Sequence, residues 1–270
     1  MKLTYFNINK TSHLIEEFYH ISYSEKVIPL NYVIIPLGFT GLAYVFSKGQ
    51  NISLNNNETI IKDLIINGQY YKSYQFNVNE PGFTCGLSFK PTALYKLTRL
   101  NISKFTHKYS NFNEINKELS DKFEKIFKNH NNDFIGLFNN LENFFLTQPL
   151  IENKNTIAID NIVDIIHQKE GMVSVNELLE KISFGQKTLE TQFKKMVGLT
   201  PAKYIRIHRF KKLMKQYESN KINLKDLIYM YDYYDESHFA KDFKSFTSKA
   251  FKDYFKDEFS LIKEVFKKSG

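Results

Sequence analysis

The sequence predicts an α+β chain: a β-rich N-terminal domain with accessory helices, followed by an all-α domain of two helix-turn-helix units joined by a long helix. Three observations carry that prediction. Up to about Phe89, β-branched and aromatic runs alternate with Gly, Pro and Asn breaks, the pattern of short strands. From Ile157 onward, apolar residues recur at three and four positions, the period of a helix. Within that second half, a short helix, a tight turn and another short helix occur twice, fifty residues apart.

Taken in order, the strand-like runs are Tyr32–Ile35, Gly41–Phe46, Tyr70–Val78 and Phe83–Phe89. The uncharged stretch between Lys26 and Lys48 is broken by Pro29, Pro36, Gly38 and Gly41, so it reads as two buried strands with a turn and not as a membrane span. Pro91 is placed to open a helix through Leu100, because proline lacks only an amide that a first helical turn leaves unpaired. Phe112, Ile115, Leu119, Phe123 and Ile126 predict a second helix. Phe134, Leu137, Phe138, Leu141, Phe144 and Phe145 predict a third with a broad apolar face, either core or a dimer surface.

The polar segment Thr147–Thr156 predicts a boundary between residues 1–148, a sensor or dimerisation domain, and residues 156–270, the helical domain. There Ile159, Ile162, Val163 and Ile166 form an apolar stripe, and Gly171 offers a left-handed stop. Ser174 and Glu177 have capping-box spacing and open a short helix, Val175–Ile182. A turn at Ser183, Phe184 and Gly185 leads to a helix carrying Leu189 and Phe193 and ending near Gly198. Thr200 and Pro201 then start a long helix to about Tyr217. The second unit follows, with Asn223 capping Leu224–Tyr231, a turn from Asp232 to Asp235, and Phe239 and Phe243 on the last helix. A fifty-residue shift places Leu189 on Phe239, Phe193 on Phe243, Lys194 on Lys244, Gly198 on Ser248 and Tyr204 on Tyr254.

Charge points the same way. Between Gln186 and Lys215, nine basic residues stand against one acid, Glu190, and that local excess equals the +8 of the whole chain. Self-repulsion on this scale favours an anionic partner over an idle solvated face.

The motif Gly198-Leu199-Thr200-Pro201 with Tyr204, the run Tyr204-Ile205-Arg206 leading to Arg209, and Asp235-Glu236-Ser237-His238-Phe239 followed by Lys241, Phe243 and Lys244 together resemble the DNA-binding domain of the AraC/XylS family of transcriptional regulators. The resemblance spans about Ile157–Phe255. It implies two recognition helices, held by the connecting helix, entering successive major-groove segments of duplex DNA. The sequence departs from the family where Asp232 and Ser248 replace glycines and where Ala250-Phe251 replaces a Ser-Pro pair. Gly86-Leu87-Ser88-Phe89-Lys90-Pro91, followed by Leu94 and Leu100, more loosely resembles the β-rich N-terminal half of part of this family, which implies sensing or dimerisation.

On the first recognition helix, Gln186, Lys187, Glu190, Thr191 and Lys194 lie off the Leu189/Phe193 face and are expected to meet DNA. Glu190 has two readings, discrimination of a base or an ion pair with Lys194. On the second helix the corresponding positions are Glu236, Ser237, His238, Lys241 and Lys244, with Asp235 as the N-cap; His238 either donates to phosphate or serves the fold. For Arg206 and Arg209, backbone contact with DNA and a bridge to the second unit are both open. The departures in the second unit suggest that it grips phosphate more than it reads bases, and residues 156–270 are expected to bind duplex DNA alone.

A function in another class is a sensor or protein-interaction module whose DNA affinity has decayed. An enzyme is not expected: the seven histidines show no metal-ligand spacing, and no phosphate loop or nucleophile elbow occurs. No cofactor or metal is expected either. Cys85, alone, can close no intramolecular disulfide, and no signal-peptide pattern follows Met1, so the expected location is the cytoplasm. Duplex DNA, RNA polymerase, an unidentified small-molecule effector and a second copy of the chain are the expected partners, and no membrane is.

Overall fold

The computed structural model describes residues 1–54, 57–130, 132–219 and 222–267. Eight strands, β1 (Lys2–Phe6), β2 (Ile15–Tyr23), β3 (Leu30–Ile34), β4 (Thr40–Leu54), β5 (Asn57–Asn67), β6 (Tyr74–Val78), β7 (Gly82–Phe89) and β8 (Tyr109–Asn111), form one antiparallel sheet. Its main path runs β1-β2-β7-β4-β5-β8. The long strand β4 makes the sheet fold over. Its first half pairs with β7 from Thr40 to Val45, and after a register shift between Val45 and Gln50 its second half pairs with β6 through Asn51, Ile52 and Ser53. Since β6 also carries β3, the sheet curls into a half-barrel.

The pleat sorts side chains between two surroundings. Phe18, Leu42, Tyr44, Leu64, Ile66, Cys85, Leu87 and Phe89 face a helical layer and form its core. Ala43, Val45, Ile61 and Ile65 belong to the inner, concave side. That layer comprises α1 (Ala93–Thr98), α2 (Phe112–Ile115), α3 (Lys117–Lys128) and α4 (Phe134–Thr147). The expected helix over Phe112–Ile126 is split by Asn116, whose extended backbone (φ −151°) ends α2 while its side chain accepts from the Leu119 amide and caps α3. The helix expected to reach Leu100 stops at Arg99, which is left-handed at φ 62°. Phe123, Phe127, Phe138 and Phe145 are buried core residues, whereas Ile135 and Leu146 on α4 stay exposed.

Strands β1, β2, β5 and β8 were not apparent from composition. In β2 the charged Glu16 and Glu17 fall at a bulge beside the outer edge, which obscures the apolar alternation. Tyr70–Ser73, read as strand, is instead the turn before β6.

The second half is α5 (Lys154–Gln168), α6 (Val175–Leu179), α7 (Gln186–Val197), α8 (Pro201–Ser219), α9 (Leu224–Met230), α10 (Glu236–Thr247) and α11 (Ser260–Lys267). Caps behave as the spacing predicts. Ser174 and Glu177 form a reciprocal capping box, Asn223 accepts from the Lys225 amide, and Asp235 accepts from the His238 amide at 2.7 Å. Helix α6 ends at Leu179, three residues earlier than its apolar pattern suggests.

Both helix-turn-helix units are built onto the N-terminal half. Ile159, Ile162, Leu178, Leu189 and Phe193 of the first unit share one core with the sheet and α1–α4. Val33 and Ile35 instead join Phe210, Phe239, Phe243 and Phe246 of the second. Asp160 of α5 accepts from Thr92 and pairs with Lys96. No helix among the described residues is long and apolar enough to cross a membrane.

Candidate nucleic-acid interface

Each unit presents one recognition helix in the same way. In α7, Leu189, Phe193, Met196 and Val197 turn inward, and the helix ends on Gly198 at φ +97°. In α10, Phe239, Phe243 and Phe246 turn inward, and the helix ends on Ser248 at φ +60°. The left-handed stop is therefore kept although serine replaces glycine. Asp232 likewise supplies a left-handed residue (φ +54°) in the second turn. Phe251 opens a short 3-10 turn, Phe251–Phe255, its ring packed against Phe239, Phe243 and Tyr254.

With those inner faces fixed, the outer faces follow. Gln186, Lys187, Thr191 and Lys194 are exposed on α7, and Glu236, Ser237, Lys241 and Lys244 are exposed on α10. Glu190 accepts a hydrogen bond from Gln186 Nε2 at 3.0 Å. Among the described residues it makes no ion pair with Lys194, so it orders the amide at the start of the helix. Thr191 donates to the Lys187 carbonyl at 2.8 Å. His238 is half-buried against the Tyr233 ring, with centroids 5.1 Å apart.

The basic segment does not form one free face. Lys187 and Lys194 are exposed, but Arg206 donates to Asp242, and Arg209 lies 3.9 Å from the same carboxylate with its guanidinium over Tyr233. Lys211 donates to the Leu37 carbonyl at 3.0 Å, and burial pushes its ammonium pKa below the ordinary value. Lys212 pairs with Glu170 at 3.3 Å. Much of the charge concentrated in the sequence is thus met inside the protein. Of the two roles open for Arg206 and Arg209, the structure displays the bridge: both guanidiniums join α8 to α10 through Asp242.

Asp242 is 1 % exposed, and it also accepts from the Tyr233 hydroxyl at 3.2 Å. Sequence reading missed it. The available signal was an acid on the inner stripe of α10, between Phe239 and Phe243, where an uncompensated charge would be costly.

Residues 178–257 match the family described as Helix-turn-helix domain, and residues 9–111 match one described as Domain of unknown function (DUF6597). No curated protein matches the chain. Among solved structures, ToxT of Vibrio cholerae bound to (E)-4-(8-methylnaphthalen-1-yl)but-3-enoic acid is 15 % identical, with 90 % of this chain and 97 % of that chain covered at a TM-score of 0.49. ToxT of Vibrio cholerae bound to an unsaturated fatty acid is 14 % identical, covering 86 % and 91 % at 0.46. The EutQ protein of Clostridium difficile is 13 % identical, covering 32 % and 67 % at 0.25.

A repeated helix-turn-helix with two outward recognition helices on one connecting helix defines a DNA-binding protein. Residues 178–257 are an AraC-type helix-turn-helix domain, the DNA-binding part of a transcription regulator.

Proposed function

We propose that the chain binds duplex DNA sequence-specifically through residues 156–270 and that residues 1–148 sense a small molecule, in the cytoplasm, with RNA polymerase as the downstream partner. The observation that carries DNA reading is the equivalence of α7 and α10. Each is fixed by equivalent anchors, Leu189 and Phe193 in α7 and Phe239 and Phe243 in α10, and leaves its N-terminal turn and at least two lysines facing solvent. Side chains at the start of a recognition helix reach base edges, and lysines further along attract phosphate. The test is selection of bound sequences from a random duplex pool. Enrichment of a defined motif, with affinity falling steeply as salt rises, supports the reading; salt-independent binding or no enrichment refutes it. Because the first unit shares its core with the N-terminal half, the intact chain is the right material, and not residues 156–270 alone.

Sensing is supported by a cavity of about 160 Å³ on the concave side of the sheet, closed on one side by Leu261, Ile262 and Val265 of α11. Its volume is close to the roughly 150 Å³ that accommodates benzene in a protein interior. Two buried polar atoms in its wall, Tyr23 Oη and Gln50 Oε1, have no hydrogen-bond partner among the described residues. The wall includes Glu17 and no lysine, arginine or histidine. Those features suit a compact, uncharged aromatic molecule with a hydrogen-bonding group, and they disfavour a carboxylate. Homodimerisation would run through Ile135 and Leu146, exposed on α4, and sedimentation of an Ile135→Asp variant against wild type tests it.

A further inference from the structure

The two recognition helices end on equivalent residues of the fifty-residue repeat, Gly198 and Ser248, and a single N-terminal segment touches both. That segment is the loop Gly68–Ser73 between β5 and β6. At its start, the side chain of Gln69 lies so close to Gly198 that a Cβ there would come within 3.2 Å of it. Thr106, beside the loop, donates to the Gly198 carbonyl at 2.7 Å. At its end, the Ser73 hydroxyl donates to the Ser248 hydroxyl at 3.1 Å.

Between these contacts sits Tyr71. Its ring meets Phe246 of α10 edge-on at 5.4 Å, while Lys203 and Arg206 of α8 stand over it at 4.9 and 5.7 Å. Arg206 is the same residue that binds Asp242 of α10. Tyr71 therefore covers the joint between the connecting helix and the second recognition helix.

The loop is itself firmly rooted. His107 donates its amide to the Gln69 carbonyl at 2.9 Å, Gly68 donates to Lys108 at 3.2 Å, and Tyr70 packs on Tyr74 and Tyr109, whose hydroxyls hydrogen-bond at 2.6 Å. A side chain at position 68 would drive its Cβ to 2.0 Å from the Phe105 carbonyl oxygen, so the loop has one path.

We propose that the loop 68–73 is a clamp that fixes the separation at which the two recognition helices meet DNA, with Tyr71 as its main positioning residue; the proposal rests on the DNA-binding reading above. Four residue steps separate Gln69 from Ser73, a reach of at most roughly 14 Å. The C-terminal ends of α7 and α10 are thus held to one short, rooted piece of chain. Each helix is twelve residues long, about 18 Å, so a grip at that end leaves the base-reading end free. Two units working on one duplex face need the separation of neighbouring major-groove segments, and a helix end that wanders by one base-pair step, about 3.4 Å, meets the wrong phosphates.

The test is a hydroxyl-radical footprint of the full chain at saturating concentration, on the duplex it selects best from a random pool. Wild type should protect two sharp windows about one helical turn apart. Tyr71→Phe should do the same, because the Tyr71 hydroxyl has no partner among the described residues and the ring face is retained. Tyr71→Ala, and Tyr71→Leu where the alanine variant fails to fold, should keep the first window and broaden the second by a base pair or more. Saturation removes any simple loss of affinity from the comparison. Two windows as sharp as in wild type in the alanine and leucine variants would overturn the clamp while leaving the DNA-binding reading intact. Failure of the wild type to select any sequence would remove that reading, and the clamp with it.

Discussion

Removing the carboxylate of Asp242 should destabilise the second unit by about 2–4 kcal/mol. The residue is 1 % exposed, accepts from Arg206 and the Tyr233 hydroxyl, and lies 3.9 Å from the Arg209 guanidinium. Deleting one partner of a buried ion pair costs about 3–5 kcal/mol, because the remaining charge is left in a poor solvent. Arg209, whose side chain is 14 % exposed, meets that condition, but Arg206 at 43 % can turn to water, so its share is discounted. Losing the Tyr233 partner adds roughly 1 kcal/mol, and the better helix propensity of alanine returns a few tenths. Asp242→Asn, which keeps an acceptor for one arginine and the hydroxyl, should cost about half as much. The assay is urea unfolding followed by circular dichroism, with Arg206→Ala and the double variant completing a thermodynamic cycle. A loss below about 0.5 kcal/mol for Asp242→Ala, or a coupling to Arg206 below about 0.5 kcal/mol, would refute the claim that this pair holds α10 to α8.

Stability should also fall at mildly acid pH. His167 and His208 stack at 4.3 Å; burial and the charges of neighbouring lysines lower them to about 4 and about 2, with His167 adding to the effect at His208 and Glu16 partly offsetting it at His167. The unfolded chain therefore binds more protons below pH 6.5, so the stabilisation is whole above that value and drains away as pH falls towards 4, by on the order of 3 kcal/mol for each histidine. Denaturation at pH 7.5 and 5 should show the loss, and His208→Leu should flatten it; an unchanged slope would remove the histidines as its cause. Within the first unit, Lys187→Ala and Thr191→Ala should alter the selected motif, at about 1–3 kcal/mol per lost base contact, whereas Lys212→Ala, already paired with Glu170, should weaken all sequences alike or not at all. An unaltered motif in both recognition-helix variants would take α7 out of the groove. Because the chain has no tryptophan, indole fluorescence reports indole burial directly: a blue shift on titration, competed by phenol and not by benzoate and abolished by Val265→Phe, is expected of the cavity. Equal competition by benzoate would reject an uncharged ligand.

What the sequence made legible was chemistry whose partner lies within a turn of helix. Ser174 with Glu177, Asn223, Asp235 and the left-handed glycines 171 and 198 are all decided by residues three or four positions away, and the element boundaries follow from them. Hidden were features that exist only once distant segments meet. The second half of β4 pairs with β6 more than twenty positions along the chain, and the join shows in composition only as a polar stretch around Gln50. Arg206 and Asp242 are 36 residues apart, and Ser73 and Ser248 are 175 apart. The basic run could be counted but not allotted. Four of its nine cations turn out to meet oxygen partners within the protein and two more, Lys195 and Lys203, stand over tyrosine rings, and only packing could reveal which.

The altered second unit illustrates how those two levels interact. Asp232, Ser248 and Phe251 replace residues that the family resemblance would favour, and from sequence they cast doubt on the turn, the helix stop and the following start. Asp232 and Ser248 nevertheless adopt the left-handed backbone, and Phe251 contributes an aromatic ring to the unit's core in place of a proline's rigidity. Geometry thus gives no reason for α10 to read bases less well than α7; the argument has to come from side chains. Glu236, at the start of α10, opposes phosphate attraction where Gln186 and Lys187 begin α7, while Lys241 and Lys244 are exposed in the middle and last turns. If those lysines serve phosphate, replacing both with alanine should reduce the magnitude of the log–log salt slope by up to about 1.8, at roughly 0.9 per contact, and leave the selected motif unchanged. A variant that loses one half of a well-specified motif while keeping its salt slope would instead assign base reading to α10, and with it a discriminating role to Glu236 and Ser237.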